Sequence, residues 1–292
     1  MSKTTPLLTR VSNALFGRIA PTGLAEPWDN VGLLIEAPVP RAGGNKVFLT
    51  IDLTLTTLEE ALADPHTGVI IAYHPPLFSS FKRLTTADVK QRIALLCAAH
   101  GVSVLSPHTA LDTCAGGLND WLAEAFPSHK CAPISELDDR RKEIAASLGQ
   151  AKTAGVGRLV TLNQAASLYD LIQAIKKHLN LPHVRLALPE GKTDPRDVSI
   201  KTIAICAGSG NSVCSKAKKA DLYFTGEMGH HEVMDATSKG TAVVLCEHSN
   251  TERGYLSQVL QQKMQELLNG DGSAENVEVV VSKRDSDPLV IV

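Results

Sequence analysis

Apolar runs rich in β-branched residues alternate with helix-period segments along the first third of the chain. KVFLTIDLT is followed by TLTTLEEALADP, GVIIAYHPP by ADVKQRIALLCAAHG, and VSVLSPHT closes the series. Each apolar run has the length of a buried strand, and each intervening segment has the 3.6-residue period of a helix. The first of these helices has threonines at its start and early glutamates, and the second ends at Gly101. Strands separated by helices at this spacing need crossover connections, which predicts βαβ units in a largely parallel arrangement.

The same alternation resumes later. GVGRLVTL, the helix SLYDLIQAIKKHLN, the short strand HVRLALP and the polar loop EGKTDPRD lead into SIKTIAICAGSGNSVCSKAKKADLYFTGEMGHHEVMDATSKG, a strand, glycine loop, helix, strand and helix. TAVVLCEHS reads as a return strand, TERGYLSQVLQQKMQELLN as a helix, and NVEVVVSKRD with PLVIV as closing strands. NGDGSAEN is a surface connection. Periodicity breaks in SHKCAPISELDDRRKEI, so a domain change is expected near residue 130. No period of repeats recurs, which excludes a solenoid. The opening MSKTTPLLTRVSNALFGR carries Lys3, Arg10 and Arg18 and no acid. It reads as a domain helix with Leu7, Leu8, Val11, Leu15 and Ile19 on one face; the alternative is a mitochondrial transit peptide.

Composition bounds the function. At 292 residues, 43% hydrophobic and 21% charged, the chain resembles ordinary globular proteins, with aliphatic side chains building the core because only 4% are aromatic. A net charge of -2 and the absence of a basic stripe argue against direct nucleic-acid binding. No uncharged apolar stretch approaches the roughly 20 residues of a membrane span, and no secretory core opens the sequence, so a soluble intracellular protein is expected. The six cysteines lack C-x-x-C spacing and read as buried thiols in a reducing compartment.

The chemistry-bearing residues fall at strand ends, where open α/β sheets hold their ligands. LCEHSNTERGYL delivers His248 from a strand and Glu252 four residues on, a pairing that suits Zn, Mn or Fe, although the spacing alone also fits a solvated pair on a surface helix. AYHPPLF places His74 after a strand, with Pro75 and Pro76 stiffening the exit; a metal ligand or a histidine bonded to a turn carbonyl both fit there. SPHTALD adds His108 and Asp112. Asp112 is suited to coordinate or bridge, and His108 to coordinate, relay protons or orient a ligand. YFTGEMGHHEVMD puts Glu227, His230, His231 and Glu232 at another strand-to-helix junction. Adjacent histidines on a helix diverge, so one at most enters a site, and His231 is the candidate. CAGSGNS reads as a tight turn or a phosphate cradle. Neither G-x-S-x-G nor a paired Cys and His is present, so serine and thiol nucleophiles are not expected.

Taken together, AEPWDNVGLLI, AYHPPLF, SPHTALD, LYFTGEMGHHEV and CEHSNTERGYL resemble the NIF-three-like family, also described as GTP cyclohydrolase 1 type 2 homologs. The ordered motifs span nearly the whole chain. The resemblance implies two similar interleaved α/β modules with mixed sheets flanked by helices, here residues 1–130 plus 240–292 and residues 131–239, assembled into homodimers or homohexamers. It also implies a dinuclear metal site made by a His-His pair, an Asp, and a final His and Glu. Position by position these become His74, Asp112, His248 and Glu252, with Tyr73 where the first histidine of the pair would stand. The Y-H-P-P form is similar to that of eukaryotic, fungal-type members. Neutral tyrosine is a poor ligand, its pKa being about 10, so one or two divalent ions are the expected cofactor.

Two functions follow from the resemblance. One is a metal-dependent hydrolase of the cyclohydrolase type acting on a nucleotide or related heterocycle, with His108 or His231 moving protons. The other is a non-catalytic metal-binding regulatory protein that contacts a transcriptional adaptor. Residence in the cytoplasm is expected for either, with nucleus or mitochondrion as further compartments.

Overall fold

A computed structural model describes residues 6–217, 219–270, 272 and 275–292. Lys3 of the opening segment, and Asp271, Ser273 and Ala274 of the NGDGSAEN loop, lie outside them. In chain order the strands are β1 (Gly32–Ile35), β2 (Lys46–Thr50), β3 (Thr67–Ala72), β4 (Ser103–Ser106), β5 (His129–Ala132), β6 (Arg158–Ser167), β7 (Arg185–Ala187), β8 (Ser199–Ser209), β9 (Leu222–Glu227), β10 (Ala242–Leu245) and β11 (Glu278–Val281). The α-helices are α1 (Pro6–Ala14), α2 (Leu55–Ala63), α3 (Val89–Ala99), α4 (His108–Thr113), α5 (Leu118–Ala123), α6 (Asp139–Ser147), α7 (Leu168–Leu179), α8 (Asn211–Cys214), α9 (His230–Ser238), α10 (Arg253–Tyr255) and α11 (Gln261–Asn269).

The chain divides into two units, Met1–Leu111 with Tyr255–Ser286, and Asp112–Gly254 with Asp287–Val292. The sequence places the changes near 130 and 240. Packing and strand pairing account for the difference: α5 packs on β6 and β8, and β10 pairs with β9, so the segments 112–130 and 240–254 go with the six-stranded sheet.

The first unit holds a five-stranded mixed sheet in the order β1-β4-β3-β2-β11. Its inner strands are parallel and β1 is antiparallel to β4. The continuous apolar runs follow from coverage of both faces. Phe48, Ile70, Ala72 and Val104 pack with Leu58, Ala61, Ile93 and Cys97 of α2 and α3, while α1 and α11 pack together and cover the opposite face at β3 and β11. Leu7, Leu8 and Val11 of α1, and Leu15 and Ile19 of the π turn that continues it, are buried, as the domain-helix reading of the opening requires. Thr54 caps α2 reciprocally with Thr57, each side chain accepting the other's N–H.

The second unit holds a six-stranded mixed sheet in the order β5-β6-β8-β9-β10-β7. Its centre, β8-β9-β10, is parallel, and β5, β6 and β7 are antiparallel to their neighbours. SHKCAPISELDDRRKEI, where periodicity breaks, forms β5 and α6; α6 buries only Ala145, which leaves no apolar stripe to read. PLVIV, expected as a closing strand, is not one: Leu289, Val290 and Ile291 are exposed and pair with no sheet. High β propensity does not make a strand without a partner edge. Among the described residues no helix is long and apolar enough to cross a membrane.

Candidate metal centre

In the second unit the end of β10 turns sharply. Glu247 adopts φ +65, unusual for a residue with a side chain, and the chain passes through His248 into the 3-10 turn Ser249–Thr251 and then Glu252. Oε1 of the buried Glu252 lies 3.5 Å from Nε2 of His248. Two donors held about 2.1 Å from one ion at a tetrahedral angle stand about 3.4 Å apart, so this pair has the spacing of two ligands on one ion. Nδ1 of His248 lies 2.8 Å from Oε1 of Glu227, the last residue of β9. An ionised carboxylate only accepts hydrogen bonds, so Nδ1 donates to Glu227, and in the neutral imidazole Nε2, on the side of Glu252, is then the nitrogen that carries the lone pair. Carboxylate–imidazole pairs of this kind orient metal-binding histidines.

Gly208 completes the cradle. It sits where the β8–β9 register shifts, with φ +61. A Cβ there would come within 2.8 Å of His248 Nε2 and 2.9 Å of Glu252 Oε1. Its N–H donates to Thr251 Oγ1 at 2.9 Å, and Thr251 donates to the His248 carbonyl at 2.7 Å, so one buried hydroxyl fixes the glycine and the histidine together. CAGSGNS carries the end of β8 through Gly210 into α8, and the junction is closely packed: a Cβ on Gly210 would meet Thr225 Oγ1 at 2.1 Å, and Thr225 donates to the Gly208 carbonyl.

Asp112 belongs to the same unit. Its carbonyl accepts from Asn119 Nδ2 at 3.2 Å, and Asn119 Oδ1 accepts the N–H of Ala207, beside Gly208, at 2.9 Å. Buried Asn119 thus braces the Asp112 backbone against β8. Burial pushes the Cys206 thiol well above its ordinary range, and the nearby Cys214, Asp112 and Glu252 add to the shift. Burial likewise pushes Cys97 and Cys214 to about 12. No disulfide joins the six cysteines, and the Cys97, Cys206 and Cys214 thiols stay protonated at neutral pH.

His74 and His108 lie in the first unit. The His74 N–H donates to the Ile51 carbonyl, and its Nδ1 is 3.0 Å from Asp52 Oδ1, again leaving Nε2 as the lone-pair nitrogen. His108 follows β4 with φ +33, and its Nδ1 lies 2.7 Å from Oδ1 of Asp29. The N–H and hydroxyl of Thr109 also donate to Asp29. Burial raises the Asp29 carboxyl, but the bonds from His108 and Thr109 outweigh it and hold the group below the usual carboxylate range. Tyr73 is buried, with its ring centroid 5.0 Å from that of His74 and 5.6 Å from that of His108, so it supports both imidazoles by packing.

Asp29, Asp52 and Asn119 are not legible as site residues in the sequence, where Glu227 stands only at a strand-to-helix junction. Each acts through a partner distant in sequence, so no local spacing reveals it. His231 is exposed on α9, its ring 5.3 Å from that of His230.

Known proteins bear out the family resemblance. The family model Duf34/NIF3 (NGG1p interacting factor 3) matches residues 8–288. Protein NIF3 homolog of Schizosaccharomyces pombe is 42% identical over 266 residues, covering 91% of each chain. NGG1-interacting factor 3 of Saccharomyces cerevisiae is 38% identical, covering 90% of each, and human NIF3-like protein 1 is 35% identical, covering 94% of this chain and 89% of its own. Among solved structures, a Staphylococcus aureus hypothetical protein, SA1388, shares the fold with a TM-score of 0.77 at 24% identity over 99% of this chain and all of its own. A Bacillus cereus protein related to NIF3 does so with a TM-score of 0.76 at 21% identity over the full length of both. With five ordered motifs, a family model spanning 281 of 292 positions (8 to 288) and relatives matched almost end to end, the chain belongs to the Duf34/NIF3 family.

Proposed function

We propose that this chain is a metal-dependent hydrolase of the cyclohydrolase type, acting on a nucleotide or related heterocycle. The observation that carries the reading is the 3.5 Å separation of His248 Nε2 and Glu252 Oε1 over the Gly208 cradle. The ligands are the four residues the family resemblance names: His74, Asp112, His248 and Glu252. The donor set fits a divalent ion of the Zn, Mn or Fe type, with imidazole lone pairs directed by Asp52 and Glu227 and carboxylates supplying charge. Removing a carboxylate from water is costly, and a cation beside buried Glu252 offsets that cost. When bound, such an ion supplies Lewis acidity and lowers the pKa of coordinated water to about 7.

The protein's own groups do the rest. His108, with Nδ1 tied to Asp29, holds Nε2 ready to take up and return a proton at the substrate's leaving nitrogen or oxygen. His231 is the second candidate for that transfer. Tyr73 in place of a histidine favours one firmly held ion over two. Self-association into dimers or hexamers and residence in the cytoplasm belong to the same reading.

The test is metal analysis of the purified protein followed by a nucleotide hydrolysis screen with His248→Ala and Glu252→Ala. Loss of both metal and activity is expected. Activity untouched by both substitutions removes the hydrolase reading. A regulatory role is the second reading, favoured by the exposed apolar run Leu289–Ile291 and by the name of the yeast relative, which describes that protein as interacting with NGG1.

A further inference from the structure

Trp28 and Phe78 leave large apolar rings in solvent, at 61% and 48% exposure. They are neighbours: their centroids are 6.2 Å apart with the planes at 57°. The rings of His108 and Trp28 form a T-shaped pair, centroids 6.0 Å apart and planes at 78°. The segments carrying them are cross-braced. Asn30 Nδ2 donates to the Leu77 carbonyl, one residue before Phe78. Asp29, adjacent to Trp28, accepts from His108 and Thr109, and the Glu26 N–H donates to Thr109 Oγ1 at 2.9 Å.

Single exposed aromatics are ordinary. A pair held on braced backbone next to a histidine is a preorganised surface, because little freedom is left to lose when a ligand arrives. An indole 61% exposed with a phenyl ring set at 57° forms a corner that fits a flat π system, with stacking on the indole and an edge contact to the phenyl. The geometry points to a stacking site for a planar heteroaromatic ring, a nucleobase in chemical class, with Trp28 as its floor and Phe78 as its wall. The site deepens the hydrolase reading and rests on it for the reaction, but ring binding needs no metal.

The chain has two tryptophans and Trp121 is buried, so quenching of solvent-exposed emission reports on Trp28. The full chain is titrated by fluorescence and calorimetry with GMP, UMP and ribose 5-phosphate, with and without chelator. Saturable binding of both nucleotides but not of ribose 5-phosphate is expected, unchanged by chelation. Trp28→Ala and Phe78→Ala should each weaken calorimetric affinity about tenfold, while Trp28→Phe retains most of it and metal content stays at the wild-type level. If hydrolysis fails but ring-dependent binding persists, the hydrolase reading falls and the stacking site stands. If neither nucleotide binds, or Trp28→Ala binds as well as wild type, the stacking site is overturned whatever the hydrolysis screen gives. A change of sedimentation on Trp28→Ala without nucleotide affinity marks the pair as a subunit contact and overturns it equally.

Discussion

Nδ1 of His248 lies 2.8 Å from Oε1 of Glu227, at the end of the neighbouring parallel strand. The contact selects Nε2 as the imidazole nitrogen that would face a metal. Glu227→Ala should therefore weaken metal affinity about 10- to 100-fold. Competition titration against a chelator measures it, and Glu227→Gln, which keeps an acceptor oxygen, should lose less. Equal affinity in wild type and Glu227→Ala would show that the carboxylate does not orient the ligand.

Gly208 tests the cradle. An alanine at φ +61 costs roughly 1–2 kcal/mol of backbone strain, and its Cβ intrudes on both His248 and Glu252. Gly208→Ala should lower the unfolding midpoint and abolish metal retention. Gly191→Ala provides the control: it has φ +81 with nothing within 4 Å, so it should carry the strain without the metal loss.

Metal removal should itself destabilise the protein. A ligand that binds only the folded chain adds about 2.7 kcal/mol at a hundredfold excess over its Kd. Calorimetric scans with chelator and after adding back Zn or Mn should show the midpoint fall and recover in wild type, with no such response in His248→Ala.

Asp29 carries a pH dependence. Its carboxyl sits below the usual range in the folded state. Such a group stabilises the fold above its unfolded pKa of about 3.9 and loses that contribution as pH falls through the lower folded value. The stability gap between wild type and Asp29→Asn should be full at neutral pH and close below about pH 4. Denaturant midpoints measured from pH 7 downward check this; a gap that widens on acidification would reverse the assignment.

Asn119 is buried and bridges the Asp112 carbonyl and the Ala207 N–H. Asn119→Ala should cost about 1–3 kcal/mol by leaving buried groups unpaired. Urea midpoints measure that cost, and metal analysis should show weakened retention, because the brace on Asp112 is lost.

The sequence by itself determined most of the architecture and the ligand candidates. Buried strands such as VFLT and VIIA are continuous apolar runs because both faces are covered, and the breakers are chemically distinct, Pro75 and Pro76 after β3 and Gly101 after α3. His74 and His248 were legible because strand ends are where side chains leave the sheet. β5 and α6 were not legible, since an exposed strand and a helix burying a single alanine leave no periodic signal. PLVIV misled for the opposite reason: its residues prefer extended backbone, but a strand exists only where another edge accepts its hydrogen bonds. Only the tertiary structure decided which carboxylate serves which histidine. Asp29 with His108, Asp52 with His74 and Glu227 with His248 are separated by 79, 22 and 21 residues, so their pairing depends on how strands and loops are brought together and not on any local spacing. The same holds for Gly208, whose missing side chain matters only because His248 and Glu252 fold back over it.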